Sequence, residues 1–377
     1  MGKTSRKIAE RLLKEADVTI NGSNPWDMQV KNEKVFDEVF SRGSLGLGEA
    51  YMAGWWDAEK LDEFFYKILS AHLDRKLLSL LKFKDIKTAL YLASASLFNL
   101  SSKKRSFQVG KTHYDAGNDL FTHMLDSRLT YTCGYWKDAE TLDQAQTAKL
   151  DLVCKKVGLK PGMKILDIGC GWGSFVKYAS EKYGVTAVGI TVSKEQAELA
   201  RENCKGLPVE IRVEDYRDTR GTFDRIISLG MFEHVGYKNY QTYMEVVHKL
   251  LKDDGLFLLH TIGGNKSVHA TDPWINKYIF PNSMLPSIKQ IGESIEKIFV
   301  MEDWHNFGTD YDKTLMAWFE NFENNWQHLS EKYDERFYRM WKYYLLSCAG
   351  LFRAREAQLW QIVLSKTGVK GGYSSIR

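Results

Sequence analysis

Apolar residues recur at helical spacing near the start of the chain. Ile8, Leu12, Leu13 and Ala16 share one face, and Val35, Phe36, Val39 and Phe40 repeat the pattern. Between them and residue 57 runs Gly43-SLGLGEAYMAGWWD, whose glycines predict a tight turn and whose aromatics predict packing between helices. The first hundred residues thus read as a helical domain. Beyond residue 160 the period changes. Short apolar runs at 163–168, 186–190, 209–213, 223–229 and 255–262 alternate with helical patterns at 175–182, 193–204 and 240–251. Ser193 followed by Gln196 predicts a capping box at the second of these helices. Strands alternating with helices indicate the α/β class, with a doubly wound, mostly parallel sheet. After residue 262 the rhythm breaks. Pro273, Pro281 and Pro286 with Trp274, Tyr278 and Phe280 read as a lid inserted over about 263–310. The lid aromatics suit either the wall of an apolar channel or ordinary packing. Helical pattern resumes at 314–326, and 358–365 reads as a closing strand.

Composition narrows the function classes. The chain has 377 residues, 44% of them apolar, with 52 basic and 48 acidic side chains. It can build a core, and its balance of charge excludes a surface devoted to nucleic acid. The basic residues are unevenly placed, however. Arg75, Lys76, Lys82, Lys84, Lys87, Lys103, Lys104 and Arg105 face only Asp85 within 75–105, and leucines lie between them. Such a stretch suits either an anionic membrane surface or a solvated helix face. The polar residues 101–110 read as a linker. Five cysteines, none in a C-x-x-C pair, describe neither a disulfide framework nor a zinc site. The N-terminus lacks a signal-peptide pattern, and the longest uncharged run, 88–102, is too short to span a bilayer. The expectation is a cytoplasmic protein that at most lies on a membrane.

The strongest chemical signal is Lys164-Ile-Leu-Asp-Ile-Gly-Cys-Gly-Trp-Gly173, a strand running into three glycines and a helix. Glycines there let the backbone approach a ligand, and a helix N-terminus offers free N–H groups. Ser174 stands where the dinucleotide fingerprint has its last glycine, and the second strand ends in Thr191 rather than an acid. Both features argue against NAD. Asp167, two residues before the first glycine, and Glu214-Asp215 after the third strand suit S-adenosylmethionine (SAM).

The remaining motifs carry a wider resemblance. His113-YDAGNDLF, Tyr131-TCGYW, Leu166-DIGCGWG, Met231-FEHVG, Leu259-HTIG, Asp272-PWINKYIFPN, Asp303-WHNFG and Tyr311-DKTLMAW stand with the Gly43 segment. On these the chain resembles the bacterial cyclopropane-fatty-acyl-phospholipid synthases and, more distantly, the mycolic acid cyclopropane synthases. The resemblance implies a Rossmann-like seven-stranded SAM-dependent methyltransferase sheet at 111–377, behind a smaller helical domain at 1–100. It implies methylene transfer from SAM to a cis double bond of a phospholipid acyl chain. It also implies a homodimer, peripherally bound to the inner face of a membrane, with no nucleic acid and no metal. A carbocation formed on the way needs a dry pocket and a base within reach.

By resemblance that base is a bound bicarbonate, held by Cys133, Glu233, His260, the Ile262 backbone and Tyr311. The set makes chemical sense, because tyrosine, histidine and backbone donors suit an oxyanion while a carboxylate accepts its O–H. Taken singly, Cys133 reads as a buried small hydrophobe, His260 as a core histidine and Tyr311 as packing. For SAM the resemblance points to Tyr131, Thr132, Gly169, Gly171, Thr191, Gln196, Asp215 and Tyr216. It places His113, Tyr114 and Asp115 on the approach to the methyl group without chemistry of their own. Gly134 and Ser174 depart from the family's usual alanine and glycine. A methyltransferase of a small soluble substrate would explain the glycine loop alone, and a non-catalytic lipid-binding scaffold would explain only the fold.

Overall fold

The computed structural model describes residues 2–73, 75–76 and 118–377. The linker expected at 101–110, residues 77–105 of the basic stretch, and His113, Tyr114 and Asp115 lie outside the described residues. The chain gathers into two compact units, each discontinuous in sequence. One takes the described residues up to 76 with 269–281 and 311–357; the other takes the rest.

The first unit is helical, as the leading pattern predicts. Helices Gly2–Glu15, Lys34–Arg42, Ser44–Met52 and Leu61–Ser70 accompany a small antiparallel pair, β1 (Gln29–Val30) and β2 (Trp56–Asp57). Gly43 and Gly54, with φ 59° and 71°, make turns at the two ends of the third helix. Gly46 and Gly48 lie inside Ser44–Met52 instead and permit close packing. A Cβ on Gly46 would meet the Glu38 carbonyl at 2.3 Å, and one on Gly48 would meet the Trp274 ring at 2.4 Å. Trp274 is 1% exposed and packs on Tyr343 at 4.5 Å, so this aromatic of the expected lid is core packing. Tyr278 spends its hydroxyl on Glu49. Helix Glu335–Arg353, missed by the sequence pattern, lies so close to Leu61–Ser70 that a Cβ on Gly350 would sit 2.7 Å from the Asp62 carbonyl. Arg75 and Lys76 pair with Glu356 and Glu15, so these two cations of the basic stretch are already engaged.

The second unit is built on β3 (Lys164–Ile168), β4 (Thr186–Thr191), β5 (Val209–Val213), β6 (Phe223–Leu229), β7 (Leu251–Gly264), β8 (Val300–Asn306) and β9 (Ala357–Ser365). Among the described residues these form one sheet of seven strands in the order β5-β4-β3-β6-β7-β9-β8. The β3–β4, β4–β5, β3–β6 and β6–β7 pairs are parallel, and β8 runs antiparallel to β9. The chain proceeds outward from β3 in one direction, then returns to add β6 and β7 on the other side. That reversal is where doubly wound sheets bind ligands, beyond the carboxyl ends of the strands.

The expected lid contains the edge strand β8, which the alternation rule missed because Val300–Asn306 interleaves charged residues with apolar ones. Its partner β9 is buried along its whole length, as the apolar run at 358–365 predicts. Two clusters of buried side chains cover the sheet's two faces. One includes Leu166, Phe257, Leu259 and Tyr243, and the other Ile165, Leu258, Val153 and Phe175. Backbone contact is tightest at Gly263, where a Cβ would fall 2.0 Å from the Trp360 ring. Gly263→Ala should therefore destabilise the fold by about 1–3 kcal/mol through overpacking. A melting temperature equal to the parent's would show that Trp360 can move aside.

Candidate functional site

Ile168 pairs with Ile190, Thr191 with Val213 and Leu229 with His260, so the strand ends fall along one edge of the sheet. The strand ends and the segments leaving that edge carry most of the expected site residues; Tyr131, Thr132, Cys133 and Tyr311 come from elsewhere. After β3 the backbone passes through Gly169, Gly171 and Gly173 at φ 91°, 53° and 87° and enters helix Ser174–Tyr183. These left-handed conformations demand glycine. A Cβ on Gly169 would also meet Met231 at 2.8 Å, whereas one on Gly171 would meet open space. Asp167, just before the loop, is buried with one carboxylate oxygen unpartnered. Burial pushes its carboxyl up to about 7, against the opposing pull of Lys149.

At the end of β4, half of the predicted capping box forms. The Ser193 hydroxyl accepts from the Gln196 backbone N–H at 3.2 Å. The Gln196 side chain turns instead to Thr191, whose hydroxyl donates to Oε1 at 2.9 Å. The glutamine NH2 group is left to donate elsewhere. After β5, Asp215 is held by Arg217 through two bonds of 2.7 Å, one to each carboxylate oxygen. The neighbouring Glu214 keeps a buried oxygen without a partner, and Tyr216 a buried hydroxyl.

The segment Tyr131–Cys133 comes from outside the sheet. Tyr131 packs edge-on against Phe121 at 5.1 Å. Thr132 fills the space a Cβ on Gly230 would need, 2.6 Å away. Cys133 is wholly buried, and its thiol donates to the Gly134 carbonyl. Both departures from the family pattern are accommodated nearby. A Cβ on Gly134 would come within 2.9 Å of Ala145, and the Ser174 hydroxyl bonds that of Thr130 at 2.7 Å.

Glu233 lies in a single turn of 3-10 helix, Phe232–His234, just after β6. One of its oxygens accepts the Ile262 backbone N–H at 2.7 Å, while the other is buried and unpartnered. Burial pushes this carboxyl up to about 7, against the hydrogen bonds that favour its charge. His260 stands two residues before Ile262 on β7. Gln361 of β9 donates its amide to His260 Nδ1 at 3.3 Å, which leaves the ring proton on Nε2, a buried atom with no partner. Burial and then the cations Lys149 and Lys156 hold the imidazole well below its ordinary pKa, so it is neutral. Glu233, His260 and Ile262 are thus brought together. The Ile262 N–H, expected to face a ligand, serves Glu233 instead. Tyr311 belongs to the first unit, where it stacks on Phe352 at 4.5 Å.

Sequence reasoning missed Gln146, Lys149 and Gln361. Their common signal is a polar side chain at an apolar position. Gln146 and Lys149 sit on the buried face of helix Leu142–Lys156 among Leu142, Ala145, Leu150 and Val153, and Gln361 interrupts fully buried β9. Among the described residues no group of side chains could hold a metal, and no helix is long and apolar enough to cross a membrane.

The sequence and the fold have counterparts among known proteins. The family described as mycolic acid cyclopropane synthetase matches residues 101–362. A cyclopropane-fatty-acyl-phospholipid synthase of Escherichia coli (strain K12) is 57% identical over 366 residues, covering 97% of this chain and 94% of the relative. Among solved structures, the cyclopropane synthase MmaA2 from Mycobacterium tuberculosis superposes with a TM-score of 0.66 at 32% identity, covering 69% of this chain and 98% of its own. The mycolic acid cyclopropane synthase CmaA1, complexed with SAH and CTAB, gives 0.64 at 34% identity, covering 69% and 98%.

Proposed function

The chain belongs to the mycolic acid cyclopropane synthetase family, and from that premise we propose that it transfers a methylene from SAM to the cis double bond of an unsaturated phospholipid acyl chain. The alkene's π electrons attack the sulfonium methyl, the carbon–sulfur bond breaks, and S-adenosylhomocysteine leaves. The second alkene carbon is then a cation. Loss of a proton from the new methyl lets the freed C–H electrons close the three-membered ring.

One observation supports this reading above the others. Glu233 offers a buried acceptor oxygen and His260 a buried N–H donor, both without a protein partner, beside the strand ends that carry the glycine loop. Orphaned buried polar atoms cost about 1–3 kcal/mol each, so a matched donor and acceptor argue for a small polar guest. Bicarbonate fits, since its anionic oxygen takes a hydrogen bond and its O–H gives one. When bound, it supplies the base that removes the methyl proton. His260 Nε2 would donate to it, Glu233 would accept from it, and Cys133 would close the apolar wall; the part of Tyr311 rests on the family resemblance. Neutral His260 keeps a donor in place without adding a charge that would repel a cation. SAM would sit over Gly169 and Gly171, with the Gln196 NH2 and Thr132 among its donors and Tyr216 beside it.

How the acyl chain arrives is a second part of the proposal. Within residues 75–105, the cations other than Arg75 and Lys76 would dock on anionic headgroups, each one near the surface contributing about 1 kcal/mol. The test of the reaction is incubation of the protein and SAM with liposomes of a cis-monounsaturated phospholipid, with and without bicarbonate, read by lipid mass spectrometry. The expected result is a gain of one methylene with loss of the double bond, dependent on bicarbonate. A gain indifferent to bicarbonate would move the base to Glu233. No gain despite SAM binding would favour the small-substrate methyltransferase.

A further inference from the structure

Lys149 is the most unusual charge in the second unit. Its side chain is wholly buried in helix Leu142–Lys156, and its ammonium donates to the Thr132 hydroxyl at 2.7 Å. Three residues earlier on the same helix, Gln146 donates its amide to the carbonyls of Thr132 at 2.7 Å and Thr130 at 3.3 Å. Asp126 accepts the Thr130 backbone N–H at 2.7 Å. The stretch from Thr130 to Cys133 is therefore clamped from one side by three buried polar side chains. A buried lysine is costly unless its charge is used. The carboxylates of Asp126 and Asp167 face it, and Asp167 keeps one oxygen unpartnered at the mouth of the glycine loop.

The hydrogen-bond chemistry at Thr132 is directional. An ammonium has donors and no acceptor, so a threonine hydroxyl bonded to it must receive through its oxygen. Its own O–H is then turned away from Lys149 and is free to donate. Among the described residues no acceptor takes that proton, since the bond from Lys149 is the one that the Thr132 hydroxyl makes there. Thr132 is thereby fixed as a donor, polarised by the cation behind it, in the segment whose neighbours Tyr131 and Cys133 belong to the proposed site. The Thr132 methyl lies against Gly230 after β6, and the next residue, Met231, lies against Gly169 of the glycine loop.

We infer that Lys149 is a positioning residue for SAM: it orients and polarises the Thr132 O–H toward the carboxylate of the methionyl moiety. The sulfonium of SAM gains nothing from a cation nearby, whereas its carboxylate gains a charge-assisted donor. This rests on the reading of the chain as a SAM enzyme and deepens it by assigning one end of that ligand.

The experiment compares wild type, Lys149→Met, Thr132→Val and the double variant by calorimetric titration with S-adenosylhomocysteine and with its decarboxylated analogue. Circular dichroism and melting curves are recorded on each. Wild type should prefer the carboxylated ligand by at least about tenfold, the worth of one hydrogen bond to a charged group. Lys149→Met should lose most of that preference while binding the decarboxylated analogue as wild type does. Thr132→Val should lose the same amount, and the double variant no more than either alone, because the two side chains act in series. Should Lys149→Met fail to fold, Thr132→Val still decides, because loss of the preference there is required. Equal weakening toward both ligands would overturn the inference and make Lys149 merely structural. Additive losses in the double variant would overturn it too. If wild type bound neither ligand, the SAM reading itself would fail, a result distinct from the other two.

Discussion

Glu233→Gln is expected to lower kcat by about two to three orders of magnitude, the usual range for removing a positioned proton acceptor. SAM binding should change by no more than about twofold, because the Glu233 carboxylate bonds the Ile262 backbone rather than the glycine loop. Glutamine keeps an oxygen for the Ile262 N–H, so the local backbone should be retained. The pH dependence separates a chemical role from a structural one. With its carboxyl pushed up to about 7 by burial, Glu233 is largely protonated at mildly acidic pH and ionised above neutrality. Turnover should rise with pH through about 7 in the wild type, and that limb should vanish in the variant. A bicarbonate beside the carboxylate shares its proton, so the limb would report the pair. Stability should move the other way. A carboxyl whose pKa is raised on folding favours the fold fully below its unfolded value. That advantage is lost as pH rises through about 7, by about 3 kcal/mol from a shift of this size. Glu233→Gln should therefore be as stable as wild type in acid and more stable at alkaline pH. Denaturant titrations across that range check this, and a variant with full turnover and an intact limb would remove Glu233 from the mechanism.

His260→Ala should cost about 10²-fold in kcat, the loss typical of one donor aimed at a reacting oxyanion. Burial and two neighbouring lysines hold the ring neutral, so no histidine limb should appear in the wild-type profile between pH 5 and 8. Gln361→Leu should cost less, about tenfold, because it only frees the imidazole to place its proton on Nδ1 instead of Nε2. Varying bicarbonate distinguishes the two. His260→Ala should raise the bicarbonate concentration needed for half-maximal turnover, while SAM binding stays unchanged. Wild-type dependence on bicarbonate in His260→Ala would mean that the donor lies elsewhere.

The fold was legible wherever a single period ran long enough. The five apolar runs from 163 to 262 became parallel strands, and the run at 358–365 became β9. Strand β8 was not legible, since this edge strand buries only part of its surface and Val300–Asn306 mixes charges into it. The glycines at 46 and 48 looked like a turn. Only the positions of Glu38 and Trp274 explain them as space for close packing.

At the site, the family resemblance nominated Glu233 and His260, but not what each of their atoms does. That the Ile262 N–H serves Glu233 and that Gln361 sets the tautomer of His260 are relations between distant segments. Lys149 shows the same limit more sharply. In sequence it is one of 52 basic residues; in the fold it is a buried cation behind a site threonine.

The sequence by itself determined the alternation of strand and helix and the glycine loop, and it nominated candidates for the site. Local periodicity, turn chemistry and short motifs are carried by neighbouring residues. Only the tertiary structure decided which polar atoms are spent on one another and which are left for a ligand. Hydrogen bonding and desolvation depend on what surrounds an atom in space, and the residues around Glu233, His260 and Lys149 come from separate parts of the chain.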